Sequence, residues 1–274
     1  MPSRDNELGA FLRASRARLE PADAGLPGGA GARRVAGLRR EEVAVLAGVS
    51  ADYYARLEQG RERNPSAQVV DAIGRALRLA PDARGHLSRL AGLSPGGAEV
   101  VGEVHPALAR LVHTFPHSAA YVLGPAFDVL ATNRIADALL EPFDPERNMP
   151  RILFTHERAR TVFAQWPAVA GATVHAMRLN AGYFPDDQRI RSIVAELSEC
   201  SAGFRELWND RTVGGLTRAF KVFVHPVQGR IELTYQTFDV TDAPGQQLLV
   251  GTPMPGDSTA AIARLVKADR KELA

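Results

Sequence analysis

The sequence predicts a module of five short helices followed by an α+β domain built on an antiparallel sheet. Three observations carry this expectation. Apolar residues recur at helical spacing up to about residue 90, strand-like runs flank a long helical stretch after residue 118, and a Gly/Pro-rich break separates the two halves. At 274 residues the chain has room for two ordinary domains. Its 45% hydrophobic against 23% charged residues exclude a disordered chain.

The helices of the first half follow in order. Leu8, Phe11, Leu12 and Leu19 share one face of the first, while Arg13, Arg16 and Arg18 fall largely off it. The run Glu20 to Gly31, rich in Gly and Pro, is a loop. Val43, Leu46 and Ala47 make a second stripe, Val49, Tyr54 and Leu57 a third, and Val69, Val70, Ile73 and Leu77 a fourth. The fifth helix opens at Pro81, buries Leu87 and Leu90, and stops at Gly92. Gly92 to Gly102 then reads as a linker, giving a first domain over 1–92, a connection over 93–104 and a second domain over 105–274.

In the second half, Ala119 to Leu123 and Phe127 to Thr132 read as strands joined by Gly124-Pro125. A helical middle runs from Asn133 to Trp208. Three further strands, Arg218 to His225, Arg230 to Val240 and Gln247 to Thr252, are separated by turns at Gln228-Gly229 and Ala243-Pro244-Gly245. Strands at both ends with helices between them imply an antiparallel sheet covered on one face.

Charge and cysteine usage narrow the function. Residues 1–95 hold 15 Arg against 11 acidic residues, while the remainder has a slight acidic excess, so a nucleic-acid surface belongs in the first half. The net charge of +2 shows that the chain as a whole is not polybasic. Cys200 is the only cysteine, which rules out an intrachain disulfide and a Cys-based zinc site. No run has the length of a signal core or a membrane span, and a cytoplasmic protein is expected. Enzyme chemistry finds no constellation. His113 and His117 are interrupted by Pro116, His156-Glu157 lacks the second histidine of a zincin motif, and Gly28 to Gly31 follow no strand. No catalytic, metal or cofactor site is expected.

The segment from Leu38 to Gln68 has the physics of a helix-turn-helix. Ala44 is small where two helices cross, Gly48 supplies the turn, and Ser50 can cap the next helix. With Tyr54 and Leu57 turned inward, that helix exposes Ala51, Asp52, Ala55 and Arg56, a face narrow enough for a major groove. Gly60 ends it, and Arg61 and Arg63 emerge beside it. Ala44…Ala47-Gly48-Val49-Ser50, Leu57-Glu58-Gln59-Gly60 and Pro65-Ser66 make the segment similar to the xenobiotic-response-element (XRE) type of helix-turn-helix. That resemblance implies base reading by Ser50, Ala51, Asp52 and Arg56. It implies backbone contact by Arg39, Arg40, Tyr53 and the loop carrying Arg61, Arg63 and Asn64. A blander reading stands beside it: the arginines form a solvated face paired with Glu41, Glu42, Glu58 and Glu62, and Tyr53 packs within the module.

A longer match is to the MmyB-like regulators. In the first half it rests on Arg33-Arg34, Gly37 to Ala44 and Tyr53 to Arg61. In the second half it rests on Asn133-Arg134, Arg147-Asn148, the Phe154…Trp166 stretch, Pro185-Asp186-Asp187, Glu196-Leu197-Ser198, Ser201…Phe204…Leu207-Trp208 and Val224 to Gly229. The resemblance implies a PAS-like ligand-binding domain, with a fatty acid among its ligands. Thr132 stands where the family usually has Trp, and Asn209 to Val213 lacks the usual His. An apolar ligand with one carboxylate needs an apolar lining and a polar anchor. Phe154, Phe163, Trp166, Phe204, Trp208, Phe223 and Tyr235 are the lining candidates, with Arg178 as anchor and His225 as a second. The aromatics read equally as core, and Arg178 as the partner of Asp186 or Asp187. The expectation is a homodimeric regulator binding a double-stranded DNA operator, controlled by a small apolar ligand and without a membrane partner. The alternative is a DNA-binding adaptor whose second half serves protein contacts or dimerisation without a ligand.

Overall fold

Helix ends in the first half follow from local chemistry. The computed structural model describes residues 6–26, 37–62, 64–93, 103–216 and 219–272. It places α1 at Glu7–Arg18, α2 at Arg40–Ala47, α3 at Ala51–Glu58, α4 at Ala67–Ala76 and α5 at Pro81–Leu90. Ser50 and Ser66 cap α3 and α4, their hydroxyls accepting from the amides of Tyr53 and Val69. Gly48 ends α2 in the left-handed region (φ 67°), where a Cβ is unfavourable. Phe11, Leu12, Leu38, Val43, Tyr54, Leu57, Ile73 and Leu87 form one core. Leu46, expected in the α2 stripe, is instead exposed beside Val45, and Ala44 and Ala47 are buried. Both α3 and α4 pack against α2, whose inner face is made by Val43, Ala44 and Ala47.

Glu58 ends α3 and is fully buried, which corrects its reading as a solvated partner. Its carboxylate accepts from Arg16 Nε of α1 at 2.6 Å and from Arg40 Nε of α2 at 2.7 Å. Arg13 donates to its backbone carbonyl, and Arg16 Nη1 donates to the Leu38 carbonyl at 2.7 Å. Gly9 permits the approach: a Cβ there would lie 2.3 Å from the Glu58 carbonyl oxygen. The compact unit formed by Met1–Gly97 also includes Trp208–Gly214, a membership that the linear order does not signal. Within it Arg211 pairs with Glu7, and Val213 packs on the helical core.

The second unit comprises Ala98–Leu207 and Gly215–Ala274. Its elements are α6 (Pro106–Val112), β1 (Ala119–Leu123), β2 (Val129–Thr132), α7 (Arg134–Leu140), α8 (Met149–Thr155), α9 (Ala159–Val162), α10 (Trp166–Tyr183), α11 (Gln188–Cys200), α12 (Ala202–Asn209), β3 (Ala219–His225), β4 (Gly229–Asp239), β5 (Gln247–Pro253) and α13 (Asp257–Glu272). The five strands form one antiparallel sheet in the order β2-β1-β5-β4-β3. Phe127 has a positive φ of 60° and belongs to the turn, so β2 starts later than expected. The helices α6 and α13 were not among the expected elements. One sheet face packs Ala120, Val122, Leu248 and Val250 against Leu108 and Val112 of α6. Since all five residues of β1 are buried, both faces are covered there, not one.

Two asparagines join the strands to the helices. Asn133 Oδ1 accepts from the amides of Ala120 and Ala136, and its Nδ2 donates to the Phe115 and Ser118 carbonyls, at 2.8–3.1 Å. Asn148 caps α8 through the Arg151 amide and donates to the Ala126 carbonyl and to Asp128. On the second sheet face Tyr235 lies opposite Gly251. Its ring covers that glycine, since a Cβ there would come within 2.7 Å of the ring carbons. It thereby reaches across β5 to β1, where its hydroxyl meets that of Tyr121 at 3.3 Å. Among the described residues no helix is long and apolar enough to cross a membrane.

Two stability changes follow. Glu58→Ala leaves Arg16, only 12% exposed, without its counter-charge, and urea denaturation should register a loss of roughly 3 kcal/mol. Gly251→Val forces a branched side chain into the Tyr235 ring, and the same measurement should give a loss of about 1–3 kcal/mol from overpacking.

Candidate functional site

In the first unit, the inward turn of Tyr54, Leu57 and Glu58 dictates which side of α3 faces outward. Ala51 and Asp52 are exposed, and Ala55 and Arg56 are half-buried beside them. Ser50, expected to read a base, is exposed and spends its hydroxyl on capping the helix. Arg56 pairs with Asp52 one turn earlier, and its guanidinium lies 5.8 Å from the Tyr53 ring centre. An exposed i,i+4 pair is worth about 0.3–0.5 kcal/mol, so Asp52 holds the Arg56 guanidinium only loosely. Burial and the nearby Glu62 charge push the Tyr53 phenol up.

The backbone-contact candidates separate. Arg39, Arg61 and Asn64 are exposed around the ends of α2 and α3. Gly60 (φ 72°) turns the chain, and the Arg61 amide closes on the Arg56 carbonyl at 2.9 Å. Arg40 is half-buried with Nε committed to Glu58, so phosphate contact would fall to its remaining guanidinium nitrogens. The solvated-face reading thus fails for the Arg40–Glu58 pair. Arg63 lies outside the described residues.

In the second unit the aromatic candidates form two groups. Phe163, Phe223 and Tyr235 belong to a chain of rings from Phe143 to Tyr121, with successive centres 5.1–6.4 Å apart. Phe143 and Tyr121 were not among the candidates, because apolar strand and helix positions look alike until the strands are paired. Phe154 meets Trp166 and Phe204 edge-on, while Trp166 donates to the Leu153 carbonyl at 2.8 Å and lies under Arg160. Trp208 belongs with the first unit.

The two anchor candidates also differ. Arg178 is buried within α10; Asp186 pairs with Arg191, and Asp187 caps α11 through the Ile190 amide. His225 is occupied at both ring nitrogens. Its Nδ1 accepts from the amides of Val227 and Gln228, so its Nε2–H donates to the Ala138 carbonyl at 3.2 Å. That geometry makes His225 a clasp between α7 and the β3–β4 turn in place of the anchor expected of it. Gly171 is buried on α10, yet a Cβ there would meet no atom within 4 Å, so the helical layer contains room at this point.

One lysine was missed altogether. Lys221 of β3 lies with its ammonium 4.6 Å from the Tyr235 ring centre, and burial lowers its pKa to about 8. Alternation along an edge strand could have flagged it, because Lys221 shares a face with Phe223 and His225.

Comparison with protein families agrees with both units. Residues 7–87 match a helix-turn-helix domain, and residues 104–265 match the MmyB-like transcription regulator ligand binding domain. A search of curated proteins finds no match. The second match covers more than half of the chain, and its join to a helix-turn-helix is the make-up of a DNA-binding transcription regulator. The chain belongs to the family defined by the MmyB-like transcription regulator ligand binding domain.

Proposed function

We propose that the protein is a sequence-specific regulator in which an XRE-type head reads an operator and a PAS-like domain takes up a small apolar, fatty-acid-like ligand. The observation that carries the DNA reading is the outward face of α3. There Arg56 stands on a helix capped by Ser50, with Arg61 and Asn64 exposed beyond its end. A helix held by its neighbours in this way can enter the major groove, where base edges are distinguishable. Asp52 suits a cytosine amino group and Ala51 a thymine methyl, so Arg56 supplies the strongest discrimination.

Two heads on a homodimer would span half-sites one helical turn apart, about 34 Å. The ligand would act by favouring one arrangement of the heads over another, since equal affinity for both would change nothing. In support of the ligand reading stand the family of the second unit, the room beside Gly171 and the strand–helix–strand order around one antiparallel sheet. The cell compartment proposed is the cytoplasm, where operators are available. The adaptor alternative gains no support from a specific observation.

Selection of bound sequences from a random DNA pool, followed by quantitative binding, tests this. Arg56→Ala should cost roughly 1–3 kcal/mol and relax the preference at one base pair. Arg61→Ala should weaken all sequences alike and flatten the salt dependence by about one unit. A pool that yields no preferred sequence would sink the specific reading.

A further inference from the structure

The second face of the sheet carries a lysine that meets no carboxylate among the described residues. Lys221, on the edge strand β3, is half-buried and keeps part of its surface open. Among the described residues it pairs with no carboxylate; its ammonium rests over the Tyr235 ring. Desolvating an ammonium without a counter-charge opposes folding, and a methionine of similar length would pack the same stem. Packing of the stem therefore gives no reason for a lysine here, and the one structural use of its charge is to guard the edge strand β3 against pairing.

The neighbouring hydroxyls point the same way. Tyr121 and Tyr235 are 4% and 2% exposed, and their hydroxyls bond to each other at 3.3 Å. One bond uses only one of the two phenolic protons, so one buried O–H donor remains to be satisfied. Two residues along β4 on the same face, the Thr237 hydroxyl is buried with no partner among the described residues. The ring chain Phe143–Phe163–Phe223 leads away from Tyr235 as an apolar wall.

We infer that Lys221, together with the Tyr121–Tyr235 hydroxyl pair, is the seat for the anionic head of a small apolar ligand, a carboxylate. This rests on the reading of the second unit as a ligand-binding domain. The ammonium supplies the counter-charge and the free phenolic O–H a directed hydrogen bond, while the ring wall takes the apolar body. Arg178 and His225 are then not the anchor. An acid is bound in preference to its alcohol, since only the acid neutralises Lys221.

Calorimetric titration of the full chain with decanoate and with decan-1-ol tests the assignment. Lys221→Met should bind decanoate at least about tenfold more weakly and the alcohol as before, Lys221→Arg should retain the acid, and Tyr235→Phe should lose a few-fold. The Lys221→Met protein should melt no lower than the wild type, and unfolding of that variant would instead make the lysine structural. Equal binding of acid and alcohol, unchanged in Lys221→Met, would overturn the anchor while leaving the ligand-binding reading intact. If neither compound binds a chain that still selects an operator, the anchor and the fatty-acid-like ligand fall together and the DNA reading stands.

Discussion

The first unit depends on one buried carboxylate. Glu58 draws Arg16 from α1 and Arg40 from α2 onto the end of α3, so three helices meet at one charge. An ion in the interior is held in place by the penalty of separating it from its partners, which is larger than that of shifting an apolar contact. The clamp therefore fixes where α3 ends and which way it is rolled. Its outer face, with Asp52 and Arg56, is presented as a consequence. The outward face of α3 and its support are one construction: Tyr54, Leu57 and Glu58 point inward so that Ala51, Asp52 and Arg56 need not.

The second unit uses neutral hydrogen bonds for the same task. Asn133 leaves no polar atom of its amide idle, tying the end of β2 and the start of α7 to β1 and to the loop before it. Asn148 does the equivalent work for α8. Both belong to motifs that carried the resemblance to the MmyB-like regulators, and so does His225 with its doubly engaged ring. These three side chains make scaffold connections. A scaffold contact needs one geometry, whereas a pocket can be relined for another molecule.

Much of the fold was legible in local chemistry. The capped starts at Ser50 and Ser66, the proline start of α5 and the strand Ala119–Leu123 need only neighbouring residues to be recognised. The outward face of α3 was legible for the same reason, through helical periodicity. Leu46 was misplaced because periodicity cannot say how near a neighbouring helix comes. Lys221 could be placed on the face of Phe223 and His225 by alternation, but that it meets no carboxylate among the described residues emerges only once the strands are paired.

The sequence by itself determined the two-part organisation, the helix-turn-helix and the identity of the outward residues, since these follow from spacing and capping within a few residues. Tertiary structure decided which charges are buried and which side chains share a face. Glu58 and Arg40 join across 18 positions, Tyr121 and Tyr235 across 114, and Trp208–Gly214 packs with residues some two hundred positions earlier. Such pairings depend on how strands and helices are stacked, which no local pattern encodes.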